Sequence, residues 1–445
     1  MSTILLIGAG KSATTLIDYL LNNSDKEKWK VTVADMNVEL TTEKLNGRPN
    51  GKAVKLDVSN LEELETLIIQ HDMIISMLPA FMHMDVARFC LKHKKNMATA
   101  SYVSDEMQAL HEDAKKAGII MLNEIGLDPG VDHMTAMEML DKLRNRGCVI
   151  TGFESFTGGL MAPESENNPW KYKFTWNPRN VVMAASGGAV KFMQGGKFKY
   201  IPYHKVFRRT EVIDVDGYGE YEGYANRDSL KYIELYNLEG VQTIYRGTLR
   251  RVGFSKAWDV FVQLGATDDT YAMDNTDQLT HREFINSFLF YHPSDSVETK
   301  LAMLMRLDHD SDEIRKITWV DMFKDEPVGL AKPSTPAQIL QHILEKKWTL
   351  EDGEKDMIVM WHKINYVEHG TPHELHATLA VKGDDDTHTA MAKTVGIPLA
   401  IGVKNILNGK IFTPGVHIPN TKEIYQPVLK ELAEFGIVCS EKMIF

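Results

Sequence analysis

The sequence predicts an α/β protein built on a parallel sheet, with a second mixed α/β region and a helical insertion. Three observations carry this. Short continuous apolar runs alternate with helix-like segments through the first 129 residues, as in parallel sheets covered on both faces. A glycine-rich turn sits between the first run and the first helix-like segment. A stretch with helical periods and little strand character, 266–345, interrupts a later region of alternating strands.

The strands of the first region are "TILLIG" (3–8), "KVTVAD" (30–35), "AVKLD" (53–57), "DMIISML" (72–78), "NMATA" (96–100) and "IIML" (119–122). Helix-like segments fall near 12–22, 60–70, 82–93 and 104–117. The first strand runs into "GAGKSA", which places Gly8, Gly10 and Ala13 in a G-x-G-x-x-A pattern. After a strand and before a helix, that pattern is a dinucleotide fingerprint: Gly8 permits the tight turn, and Gly10 lets backbone N–H groups approach a pyrophosphate at the helix N-terminus. Lys11 and Ser12 complete the loop. Asp35 ends the second strand, where a carboxylate accepts the ribose hydroxyls and repels a 2′-phosphate, so NAD is favoured over NADP. Asp57 and Val58, after the third strand, stand on the adenine side; Asp57 reads equally well as a solvated loop carboxylate. Ser76, Met77 and Leu78 end the fourth strand, where the carboxyl edge meets the nicotinamide side, and Ser101 follows the fifth.

"NEIGLDPGVDH" (123–133) follows the sixth strand. On its own it reads as a helix start, with Asp128 as N-cap, Pro129 in the first turn and an amphipathic helix over 131–146 stopped by Gly147. Leu127 and Asp128 also lie on the ligand-binding edge of the sheet, which supplies a second reading.

The whole chain bounds the function. Its 445 residues exceed one ordinary core. A net charge of −11 argues against a nucleic-acid surface. The cysteines, Cys90, Cys148 and Cys439, have no metal-ligand spacing, and no metal is expected. A cytoplasmic protein is expected, without signal peptide, spanning segment or membrane partner.

Several motifs in order resemble the saccharopine dehydrogenase family, glutamate-forming type: "TASYVS" (99–104), "NEIGLDPGVDHMTAME" (123–138), Gly158–Gly159 with "APE" (162–164), "NPWKYKFTW" (168–176), "GYANRDS" (223–229), "RGTLR" (246–250) and "VGIPLAI" (395–401). The resemblance implies a Rossmann domain over 1–129, joined by a helix within 388–412. It also implies a substrate-binding and dimerisation domain over 130–265 and 346–445, a helical domain over 266–345, and a homodimer. Residues 356–382 read as a β-hairpin turning at Gly370–Thr371–Pro372.

The implied reaction, part of lysine metabolism, is reversible NAD(P)-dependent oxidation of saccharopine, through an imine, to glutamate and aminoadipate semialdehyde. No fused lysine–oxoglutarate reductase is expected. By resemblance Ser101, Tyr102, Asp128, Arg227, Thr248, Leu249 and Arg250 contact the substrate. Saccharopine carries three carboxylates, which suits Arg227 and Arg250 because a guanidinium grips a carboxylate bidentately. The bland alternative pairs Arg227 with Asp228 at the surface. Asp128 and Tyr102 are the candidate catalytic groups, with Glu124, His133 and Lys173 as alternatives. A helix N-terminus stabilises negative charge, so Asp128 is suited to orient the substrate ammonium. This chain departs from relatives by Thr157 in place of Cys, and by Met161 and Ala225 in place of Pro. Two other functions compete: a dehydrogenase for another secondary amine such as carboxynorspermidine, and a non-catalytic NAD sensor.

Overall fold

The computed structural model describes residues 1–184, 186 and 188–444. They fall into two units: Met1–Ile150, Val367–Thr371 and Leu379–Glu441 in the first, and Thr151–Tyr366, Pro372–Thr378 and the residues from Lys442 on in the second.

The first unit holds a parallel sheet. Its strands are β1 (Ser2–Ile7), β2 (Trp29–Asp35), β3 (Gly51–Lys55), β4 (Met73–Ser76), β5 (Asn96–Ala98) and β6 (Ile120–Leu122). The spatial order is β6-β5-β4-β1-β2-β3, with the strand Gly415–His417 added in parallel beside β6. All pairings are parallel. The six apolar runs therefore form the six strands, because both faces are covered and no polar alternation is needed. The order reverses between β1 and β4, the switch point where such sheets bind ligands.

Several elements escaped the sequence reading, among them one strand of this sheet and the helix after β2. Gly415–His417 is only three residues long. The helix Val38–Leu45 is mostly polar, and it is started by Asn37, whose side chain accepts from the Leu40 N–H.

One segment sits elsewhere than expected. The helix Val131–Asn145 belongs to the first unit rather than to a domain beginning at 130. It is buried on nearly every side, and Asp141 Oδ2 accepts from the Tyr425 hydroxyl of helix Lys422–Leu432 (2.7 Å). Gly147, at φ +79°, ends it as expected. The helix Ala390–Leu407 is long and apolar enough by composition to cross a bilayer, which corrects the expectation that no such segment exists. In the structure it is a core element: its Ala392 carbonyl accepts from the Thr15 hydroxyl of helix Thr14–Asn22. Gly396 allows the close approach, since a Cβ there would lie 2.7 Å from Thr15 Oγ1 and 2.8 Å from Leu16 N.

The second unit is built on a mixed nine-stranded sheet. Along it lie Thr210–Val215, Gly219–Ala225, Thr243–Arg251, Val149–Met161, the hairpin Asp356–Glu368 and Thr371–Lys382, and Ser440–Ile444. The pair Val190–Gln194 and Lys197–Ile201 attaches to Thr243–Arg251. The hairpin turns at His369–Gly370, both at positive φ, one step earlier than expected, so Thr371 and Pro372 already belong to the return strand.

The helical stretch 266–345 does not separate as its own body. Its last helix, Pro336–Trp348, ends in Trp348, whose ring packs 5.0 Å from Tyr172, 5.1 Å from Phe174 and 5.2 Å from Trp170. One aromatic core thus ties the insertion to the segment 168–176.

Candidate active site

In the first unit the carboxyl edge gathers the cofactor candidates. A Cβ on Gly8 would lie 2.9 Å from Met77 O, so β1 and β4 exit the sheet too close for any side chain there. A Cβ on Gly10 would meet no protein atom, which leaves open space where a pyrophosphate is expected. Lys11 is exposed, and Ser12 and Ala13 continue a 3₁₀ turn into helix Thr14–Asn22.

Asp35 Oδ2 accepts from Ala9 N (2.7 Å) and Oδ1 from Asn37 N (2.9 Å). This carboxylate therefore braces the glycine loop, a duty the sequence did not disclose. It keeps a second lone pair on each oxygen for a ribose hydroxyl. Lys44 was not anticipated either. Its Nζ donates to Ala9 O (2.9 Å), Gly10 O (2.7 Å) and Thr14 Oγ1 (3.0 Å), which spends all three ammonium protons. Burial lowers its pKa, with Asp35 opposing.

Asp57 is exposed and ties its Oδ1 to the Ser59 N–H and hydroxyl, which hold its carboxyl below the usual range. Val58 and Leu78 pack on the sheet's core, and Met77 stays half-buried.

Beyond β5 the structure joins several candidates. The Tyr102 hydroxyl donates to Asp128 Oδ1 (2.9 Å). Asp128 is not the helix cap. Helix Val131–Asn145 begins after Gly130, at φ +145°, and Asp132 Oδ1 accepts from the Gly130 N–H. The chain from 126 to 130 folds back on itself, with Gly126 N on Pro129 O (3.0 Å) and Val131 N on Gly126 O (2.8 Å). A Cβ on Gly130 would lie 2.1 Å from Gly126 O, so this turn requires glycine there. The turn buries Leu127 and leaves Asp128 at the half-buried rim.

Glu124 and His133, offered as bases, are bonded to each other (2.7 Å) and buried, and Glu124 Oε1 also accepts from Val103 N. They brace the Ser101–Val103 segment. His83 went unnoticed in the sequence: it links Ser76 Oγ (2.8 Å) to Ser101 Oγ (2.7 Å).

In the second unit Thr248 and Arg250 lie on one face of the strand Thr243–Arg251, and Leu249 points to the other and is fully buried. Thr157 registers with Thr248 on the neighbouring strand. Arg250 is 5% exposed and lies over the rings of Tyr172 (4.9 Å) and Phe254 (5.4 Å). Its Nη1 donates to Leu249 O, while its Nε is buried without a partner among the described residues. Thr157 Oγ1 and the Tyr172 hydroxyl are likewise buried and unpartnered. Burial pushes the Tyr172 phenol up to about 12, so it stays a neutral donor at neutral pH.

Arg227 is exposed, at φ +48°. Asp228, its neighbour in the chain, pairs with Lys191 (3.2 Å). Lys173 is not a free base: it is buried against Glu354 (2.7 Å) and Glu351 (3.3 Å).

Two family models together cover most of the chain. Residues 4–122 match the model of the saccharopine dehydrogenase NADP binding domain, and residues 126–437 that of the saccharopine dehydrogenase C-terminal domain. The chain is 34% identical, over its full length and 99% of the relative's, to saccharopine dehydrogenase [NADP(+), L-glutamate-forming] of Schizosaccharomyces pombe. It is 35% identical to the mitochondrial alpha-aminoadipic semialdehyde synthase of Bos taurus, of which it spans 47%. The apo saccharopine dehydrogenase (L-Glu forming) from Saccharomyces cerevisiae superposes with a TM-score of 0.88 at 30% identity, covering all of both chains.

Proposed function

This chain belongs to the saccharopine dehydrogenase family, and we propose on that premise that it oxidises saccharopine to glutamate and 2-aminoadipate 6-semialdehyde with a nicotinamide dinucleotide. The bound nicotinamide supplies the hydride acceptor. The residues present fit such a group: the open space at Gly10, the N-terminus of helix Thr14–Asn22 and Asp35 at the end of β2 form the expected cradle.

The observation that carries the substrate reading is Arg250. A buried guanidinium with an unpartnered Nε, framed by two aromatic rings, is costly unless an anion completes it. A substrate carboxylate does so, with the neutral Tyr172 hydroxyl and Thr157 Oγ1 as further buried donors in the same unit. In the first unit Asp128, bonded to the Tyr102 hydroxyl, offers a negative charge suited to an ammonium group. Loss of a hydride from the carbon beside the substrate's amine nitrogen to the dinucleotide, and of the proton from that nitrogen to solvent, leaves an imine, and water adds to it to release the two products.

NAD is the preferred cofactor in this reading, although the fungal relatives carry NADP(+) in their names. Asp35 repels a 2′-phosphate, and Lys44 has no proton left to donate to one because its three are committed to the loop. A homodimer in a reducing, cytoplasmic compartment completes the proposal, and the three unpaired cysteines suit that compartment.

The test is Arg250→Ala. KM for saccharopine should rise while KM for the dinucleotide stays within about twofold, since an unpaired buried carboxylate costs about 2–5 kcal/mol. Unchanged saccharopine kinetics would remove Arg250 from the site.

A further inference from the structure

His83 opens the helix His83–His93, just past the end of β4. It is 4% exposed. Its Nδ1 meets Ser76 Oγ at 2.8 Å, and its Nε2 meets Ser101 Oγ at 2.7 Å. Ser76 is fully buried at the end of β4, whereas Ser101 is half-buried after β5 and reaches the rim. One imidazole thus ties together the ends of two neighbouring strands at the edge where parallel sheets bind their ligands. Burial holds the ring down to about 4, so it is neutral at neutral pH, with one nitrogen donating and the other accepting.

That neutrality couples the two hydroxyls. With the proton on Nε2, the ring donates to Ser101 and accepts from Ser76, and the Ser101 O–H is left to donate away from the ring. With the proton on Nδ1, Ser101 spends its own proton on Nε2, and its oxygen only accepts from elsewhere. The tautomer therefore decides what Ser101 presents to a ligand.

We propose that His83 is a positioning residue for the oxidation: through its bond to Ser101 it sets the direction of that hydroxyl toward the bound reactants. This rests on the preceding reading, in which Ser101 meets them. No covalent step is assigned to the imidazole.

Two amide replacements separate this from a packing role. Gln places its amide near the former Nε2 and can still hold Ser101. Asn places it near Nδ1 and holds only Ser76. In saccharopine oxidation, His83→Asn and His83→Ala should each lower kcat at least about tenfold, with dinucleotide KM changed less than about threefold. His83→Gln should recover at least about a third of wild-type kcat, whatever its thermal stability. Ser101→Ala and His83→Asn should not multiply when combined, because they break one bond.

His83→Asn within about twofold of wild type, or losses that multiply in the double variant, would overturn the proposal. If His83→Ala fails to fold, the Asn, Gln and Ser101→Ala variants decide alone. A wild-type protein that forms no reduced dinucleotide from saccharopine would overturn the functional reading and this proposal with it. An active wild type indifferent to His83→Asn overturns this proposal only.

Discussion

Asp128 shows what one residue reveals only in three dimensions. Asp before Pro suggests a cap, yet Gly130 occupies that position and the Asp128 carboxylate is bonded to Tyr102. Asp128→Asn should therefore leave thermal stability nearly unchanged. It should lower kcat/KM for saccharopine at least about tenfold, roughly 1.4 kcal/mol of transition-state stabilisation. A marked drop in melting temperature with intact activity would return Asp128 to a structural duty.

His83 supplies a prediction in pH. Burial holds its imidazole at about 4, below the ordinary 6.5. As pH falls, the unfolded chain takes up the proton first, so the native state loses stability from about 6.5 down to about 4. Denaturant titrations across that window should show a shallower loss for His83→Gln than for wild type. The place of His83 was not legible in the sequence. A lone histidine in "PAFMHM" looks like any helix residue, and only the pairing of β4 with β5 brings Ser76 and Ser101 to its two nitrogens.

At the scale of elements, the strands were legible because continuous apolar runs are what a doubly covered sheet demands. The helix Val38–Leu45 was not, since its stabilising feature is the Asn37 cap rather than an apolar stripe. The aromatic cluster around Trp348 was not legible either, because it assembles from segments far apart in sequence, joining the helical insertion to the segment 168–176.

Two glycines separate packing from binding. Gly396→Ala forces a methyl against Leu16 N and Thr15 Oγ1 at the helix that carries the glycine loop. Overpacking of this kind costs about 1–3 kcal/mol, read as a lower melting temperature. Gly10→Ala meets no protein atom and has an ordinary φ of −61°, so stability should hold. Its methyl fills the cradle, and calorimetric affinity for the dinucleotide should fall at least about tenfold. Undiminished binding by Gly10→Ala would move the pyrophosphate away from this loop.

For the whole molecule, the two units carry complementary chemistry. The first has the features of a dinucleotide cradle, and the second a buried, incompletely satisfied cation. A non-catalytic sensor has no use for the second. A dehydrogenase for an amine with fewer carboxylates has less need of Arg250. The central claim is saccharopine oxidation, and the most direct measurement is the initial rate of reduced dinucleotide formation from saccharopine, with carboxynorspermidine in parallel and each amine tested against NAD⁺ and NADP⁺. The expected result is turnover of saccharopine, faster with NAD⁺, and little or none with carboxynorspermidine. Turnover of carboxynorspermidine with saccharopine inert would contradict the substrate, and a tenfold or greater advantage for NADP⁺ would contradict the role given to Asp35.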